Sequence, residues 1–139
     1  DCGPIVAQAT VVIKPDDIAP LLLKRCFTAG AKLLIKILPD YLSGKIKLTP
    51  QPIKSTTPYC QRFLKQDGFV SWENCKQSLN VGSPELDRKI RALYPWPGVF
   101  TQMPNGKTLK LLPNKAVQLE GKNPISWQQF LDGYKQYLI

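Results

Sequence analysis

The sequence predicts an α+β protein: a strand and helix of an α/β unit, then a proline-rich linker, then a small domain of helices and a few antiparallel strands. Three observations carry this. A period-two apolar run near the start gives way to a long pattern of three- and four-residue spacing. The texture then changes, with Pro39, Pro50, Pro52 and Pro58 in close succession. Finally, Asn105-Gly106 separates two alternating runs, a strong hairpin signal. The expected boundaries are 1–43 for the α/β end, 44–58 for the linker and 59–139 for the small domain. A chain of 139 residues that is 43% hydrophobic suits one ordinary domain or two small ones and argues against general disorder.

Residues 5–13 are rich in Val, Ile and Thr and alternate, so they read as a strand that is at least half buried, ended by Lys14-Pro15. Asp16 or Asp17 can cap a following helix, in which Pro20 falls in the tolerant first turn. Its apolar positions are Ile18, Leu21, Leu22, Phe27, Leu33, Leu34 and Ile37, with Lys24, Arg25, Lys32 and Lys36 on the wet side. Ala29-Gly30-Ala31 is small enough for close packing, so the helix is expected to cover a sheet. Within the linker only residues 45–48 look strand-like, beside the turn signal Ser43-Gly44.

Residues 68–72 read as a short strand, and Ser83-Pro84-Glu85 as a helix start with serine as cap and proline at the first helical position, the helix running to about Tyr94. Pro95-Trp96-Pro97-Gly98 stops it. Residues 99–102 and 108–112 flank the hairpin turn, and residues 116–120 supply a third strand. Ser126-Trp127-Gln128-Gln129 fits a capping box, leading a last helix with Phe130, Leu131, Tyr134 and Leu138 as its apolar stripe. Trp72 and Trp127 are expected in the core; Trp96, between two prolines, is read as a core residue, with a stacking platform for a nucleotide as the alternative.

Charge points to a partner. With 19 Lys plus Arg against 10 Asp plus Glu the net charge is +9, spread along the chain and not gathered in a tail, which suits a polyanion. No apolar run approaches the ~20 residues of a bilayer crossing, and no membrane partner is expected. Cys2, Cys26, Cys60 and Cys75 are widely spaced, form no C-x-x-C pair and have no histidine to join them, so free thiols in a reducing cytoplasm are expected, with no metal.

The chain opens on Asp1-Cys2-Gly3-Pro4-Ile5-Val6-Ala7-Gln8, a carboxylate, a glycine and a proline directly ahead of an apolar strand. A turn of this kind reads as one wall of an active site whose other wall lies upstream, so the chain is expected to be the carboxy-terminal part of something larger. With Pro15-Asp16-Asp17 and Ala29-Gly30-Ala31-Lys32-Leu33-Leu34, the opening resembles the end of the catalytic domain of the folate-dependent formyltransferases. Gln66-Asp67-Gly68-Phe69-Val70-Ser71-Trp72, the stretch from Ile90-Arg91-Ala92-Leu93 through Tyr94-Pro95-Trp96-Pro97-Gly98-Val99-Phe100-Thr101, and Val117-Gln118-Leu119-Glu120-Gly121-Lys122 are similar to the carboxy-terminal domain of the methionyl-tRNA formyltransferase branch of that family.

The resemblance implies transfer of a formyl group from 10-formyltetrahydrofolate to methionine carried on initiator tRNA, and a reduced, OB-like second domain with flanking helices. It implies that Asp1 is the aspartate of the family's Asp-x-Gly turn, tuning a histidine and ordering a water, and that Cys2 and Gly3 of the turn face the folate donor. Family members also use an asparagine and a histidine; no histidine occurs here, and the asparagine would lie upstream, so the isolated chain is expected to be inactive and to need the missing part of its enzyme. Arg88, Lys89 and Arg91 on the predicted helix, Lys107 and Lys110 on the hairpin, and Lys122 after Glu120-Gly121 are the candidate contacts to tRNA phosphates. An amino-sugar formyltransferase, a formyltetrahydrofolate hydrolase relative and a non-catalytic basic nucleic-acid-binding module stay open as alternatives. A 5–13 strand without sheet partners is also expected to pair at its edge and drive self-association.

Overall fold

The computed structural model describes residues 3–52 and 60–137. They form two compact units, one of residues 3–15, 21–52 and 60–62, the other of residues 16–20 and 63–137. Asp1, Cys2, the 53–58 part of the expected linker, Tyr59, Leu138 and Ile139 lie outside the described residues.

The first unit is dominated by α1, Ala19–Leu42. It starts at Ala19, two residues past Asp17, and runs beyond Pro39, where the linker texture was expected to begin. Proline removes its own N–H from the ladder and crowds the carbonyl four residues back, yet the helix continues past it, the Pro39 carbonyl accepting from Ser43 N at 3.1 Å. The 5–13 strand does not form. Ile5 and Thr49 exchange two backbone hydrogen bonds, at 2.7 and 2.9 Å, in an isolated bridge, and residues 45–48 are not a strand either. Alternation marks side chains suited to a sheet, but a ladder needs a paired neighbour, and only Thr49 supplies one. No residue of α1 is buried, and a Cβ placed on Gly30 would meet nothing, so within this unit the small-residue patch covers no sheet.

The second unit holds the core. A 3₁₀ turn, Lys65–Gly68, leads into α2, Trp72–Val81, where the 68–72 strand was expected; only Phe69 bridges, to Phe100. Ser71 ends the extended stretch by accepting from Asn74 N at 3.3 Å, an N-cap that opens α2. The helix α3, Pro84–Leu93, begins as expected, with Ser83 accepting from Leu86 N at 3.1 Å. Three strands follow as a meander: β1 Val99–Gln102, β2 Thr108–Leu112 and β3 Ala116–Leu119, one residue shorter than expected. A fourth, β4 Ile125–Ser126, completes an antiparallel sheet in the order β1-β2-β3-β4. Two residues are too few for a periodicity to mark. The helix α4, Trp127–Gly133, carries the expected capping box, Ser126 accepting from Gln129 N at 3.2 Å and Gln129 Oε1 accepting from Ser126 N at 3.0 Å.

Strand register separates the two faces of the sheet. Val99, Leu111 and Val117 form one inward row and Thr101, Leu109 and Leu119 the next. Onto them pack Cys75 and Leu79 of α2, Leu86, Ile90 and Leu93 of α3, and Phe130 of α4. Trp72 and Trp127 lie against this core, and Trp127 Nε1 donates to Ala116 O at 3.1 Å. Trp96, expected inside, is 60% exposed, because the rigid turn that stops α3 holds its ring outward.

Candidate nucleic-acid interface

The outward row of the sheet is built by the same alternation that fills the core. Phe100, Lys110 and Gln118 are register partners on β1, β2 and β3, and Phe69 extends the row by its bridge to Phe100. The two phenyl rings meet edge to face at 5.8 Å, and Phe69 remains 47% exposed. Lys65 Nζ lies 5.9 Å from the Phe100 ring centre, a cation–π contact. Lys89 Nζ donates to Phe69 O at 3.3 Å, and Gln118 Nε2 donates to Lys122 O at 3.0 Å, which brings both chain segments to this side. The result is an exposed aromatic surface with ammonium groups around it.

Gly68 makes the row possible. A Cβ there would overlap the Gly98 carbonyl, so only glycine lets the 65–68 turn lie against the end of the α3–β1 connection and deliver Phe69 to Phe100. Val70 N, donating to Phe100 O at 2.9 Å, holds the arrangement. Beside Phe69 a polar groove of about 390 Å³ opens between α2 and α3, with Ser71, Asn74, Gln77, Glu85 and Lys89 in its wall.

The six basic residues predicted from sequence divide. Lys110 sits in the middle of the outward row, Lys89 Nζ reaches its margin at the Phe69 carbonyl, and Lys122 comes beside Gln118 through its backbone carbonyl. Lys107 is exposed at the hairpin turn, its amide donating to Asn105 Oδ1 at 3.1 Å, but Glu120 is close, accepting from Thr108 N at 3.0 Å. Arg88 is exposed on the side of α3 opposite Leu86, Ile90 and Leu93, away from the outward row. Arg91 is occupied within the unit, its Nε donating to Asp87 Oδ2 at 2.8 Å and its Nη1 to Asp17 O at 2.9 Å. Sequence reasoning missed Lys65, Phe69 and Phe100. The outward position of Phe100 between Val99 and Thr101 was readable from strand alternation, whereas Lys65 needs the fold to bring it over the ring.

The opening turn is less complete. Asp1 and Cys2 lie outside the described residues, and Gly3 is exposed, its carbonyl accepting from Gln51 Nε2 at 2.6 Å. Of the three residues expected at the folate-facing turn, Gly3 alone is among the described residues. Among them, no group of three or more His, Cys, Asp or Glu side chains is placed to hold a metal ion, and no helix is long and apolar enough to cross a membrane. The thiols of Cys26 and Cys60 are free and exposed; that of Cys75 is free and buried, and burial pushes its pKa up to about 12.

A sheet backed by helices, with aromatic and basic side chains on its open face, is the architecture found, and residues 64–116 match the family model described as formyl transferase, C-terminal domain. The similarity extends further: the chain is 33% identical over 122 residues to the methionyl-tRNA formyltransferase of Dehalococcoides mccartyi, covering 86% of this chain and 35% of that protein. The methionyl-tRNA formyltransferases of Chloroflexus aurantiacus (32% over 123 residues; 88% and 37%) and Myxococcus xanthus (32% over 111; 80% and 33%) match likewise. The chain is thus a relative of the methionyl-tRNA formyltransferases, similar to their carboxy-terminal part, and it spans about a third of the length of the curated relatives it matches.

Proposed function

We propose that this chain is the end of the catalytic domain and the carboxy-terminal domain of a cytoplasmic methionyl-tRNA formyltransferase, an enzyme of translation initiation, and that its task is to hold initiator tRNA. In this reading 10-formyltetrahydrofolate donates the formyl group, Asp1 is the catalytic aspartate, and the histidine and asparagine come from the rest of the enzyme, so the isolated chain does not formylate. The single observation that carries the tRNA-holding role is the outward row Phe69–Phe100–Lys110 with Lys65 over its ring. Ammonium groups around an exposed aromatic surface suit a nucleic acid: phosphates supply affinity, and an unstacked base can lie on a phenyl face. The groove beside Phe69 offers Asn74 and Gln77 amides within reach of a base edge. A sugar nucleotide or water as acceptor gives a basic second domain no purpose.

Titration of the chain with initiator tRNA, against an unrelated tRNA and a DNA duplex as competitors, tests this. Initiator tRNA is expected to bind most tightly and to lose affinity steeply with salt. Equal competition by the DNA duplex would instead support a general basic module, and no binding would end the tRNA reading.

A further inference from the structure

The first unit holds a groove of about 520 Å³ between residues 10–14 and the flank of α1. Val11, Val12 and Ala29 make its apolar floor, Lys14, Lys24 and Lys32 stand at its rim, and no acidic side chain lines it. Arg25 ties the two walls together, its Nη2 donating to Val12 O at 2.8 Å. Lys24, Thr28 and Lys32 follow at four-residue spacing, and Thr28 Oγ1 donates back to Lys24 O at 2.8 Å, so they form one ridge along the helix. At a rise of 1.5 Å per residue, the Cα atoms of Lys24 and Lys32 are about 12 Å apart.

We infer that this groove is a second contact for the phosphate backbone of RNA, separate from the outward row of the sheet. Charge selects the occupant: a cationic rim with no carboxylate in the wall attracts a polyanion, and a linear ridge of ammonium groups fits a strand better than an isolated anion. The apolar floor accommodates sugar and base surface between the phosphates. The inference rests on the tRNA-holding reading for its ligand but uses none of the residues that carry it.

Amine-reactive acetylation of the whole chain, read by mass spectrometry with and without initiator tRNA, tests the groove and the sheet face together. Bound tRNA is expected to lower labelling of Lys24 and Lys32 at least threefold. The double variant Lys24→Gln/Lys32→Gln is expected to reduce the salt slope of log affinity by ~1.4–1.8, the share of two phosphate contacts. Protection at Lys110 without protection at Lys24 and Lys32, together with an unchanged slope in the variant, overturns the groove and leaves the sheet face standing. Protection at Lys24 and Lys32 alone upholds the groove and removes the sheet face. Absence of protection at all three sites overturns both, and protection of the pair by decanoate but not by tRNA assigns the groove to an amphiphilic anion and overturns it as an RNA site.

Discussion

In the unit of residues 16–20 and 63–137, Val99, Leu109, Leu111 and Phe130 are buried, whereas in the other unit Leu23, Phe27, Leu34 and Leu38, spaced as regularly along α1, stay exposed. Apolar residues recur regularly in both places, at period two in the strands and at helical spacing in α1, but of these two burial is complete only in the sheet. An apolar stripe states what an element can cover; the presence of something to cover depends on the elements around it. In the second unit a meander sheet supplies that surface, and its reverse face carries Phe100, Lys110 and Gln118. In the first unit the described residues that accompany the helix are the 3–15 segment, the 43–52 stretch around Thr49 and residues 60–62.

Truncation breaks the comparison most sharply. Leu109→Ala removes a fully buried side chain and is expected to destabilise the second unit by about 2–5 kcal/mol. Leu34→Ala removes one that is 56% exposed and is expected to shift stability by under about 0.5 kcal/mol. Thermal and denaturant unfolding of the two variants measures the difference, and equal effects would erase the distinction between the units. Gly68→Ala comes next, with a cost of about 1–3 kcal/mol from overpacking against the Gly98 carbonyl. Because it displaces Phe69 as well, it should weaken tRNA binding at temperatures where the protein is still folded, whereas Gly30→Ala, with open space around it inside α1, should leave binding unchanged and stabilise the helix by about 0.5–1 kcal/mol.

Much of the second unit was legible because its signals are local. Ser83-Pro84, Asn105-Gly106 and the Ser126 capping box each name a boundary by chemistry, and the structure places elements at all three. The helix α2 was missed although Ser71 caps it, since Gly68-Phe69-Val70 ahead of it has strand chemistry and the cap was read as part of the strand. Residues 5–13 were read as a strand because alternation cannot reveal whether a partner strand is at hand. The interface was half legible: Lys110 follows from strand alternation, but Lys65 over Phe100 and the diversion of Arg91 to Asp87 and Asp17 depend on contacts distant in sequence.

Smaller effects sharpen the picture of the core. Thr101 is buried and its hydroxyl has no hydrogen-bond partner, so Thr101→Val should stabilise the second unit by about 1 kcal/mol in thermal unfolding. Cys75 should resist a thiol reagent that labels Cys26 and Cys60 rapidly. Its thiol keeps its proton in the folded state up to about pH 12 but ionises from 9.0 when unfolded, so this group's contribution to stability is complete below pH 9.0 and falls away between those values. Cys75→Ala should flatten that alkaline decline, and an unaltered decline would assign it to other groups.

The claim that the outward row holds tRNA is tested most directly by the salt dependence of initiator tRNA binding to the chain and to its Lys65→Gln/Lys110→Gln variant. Two phosphate contacts carry a slope of ~1.4–1.8 in log affinity against log salt, and the variant is expected to lose that amount while unfolding at an unchanged temperature. A slope identical to that of the parent chain would contradict the account.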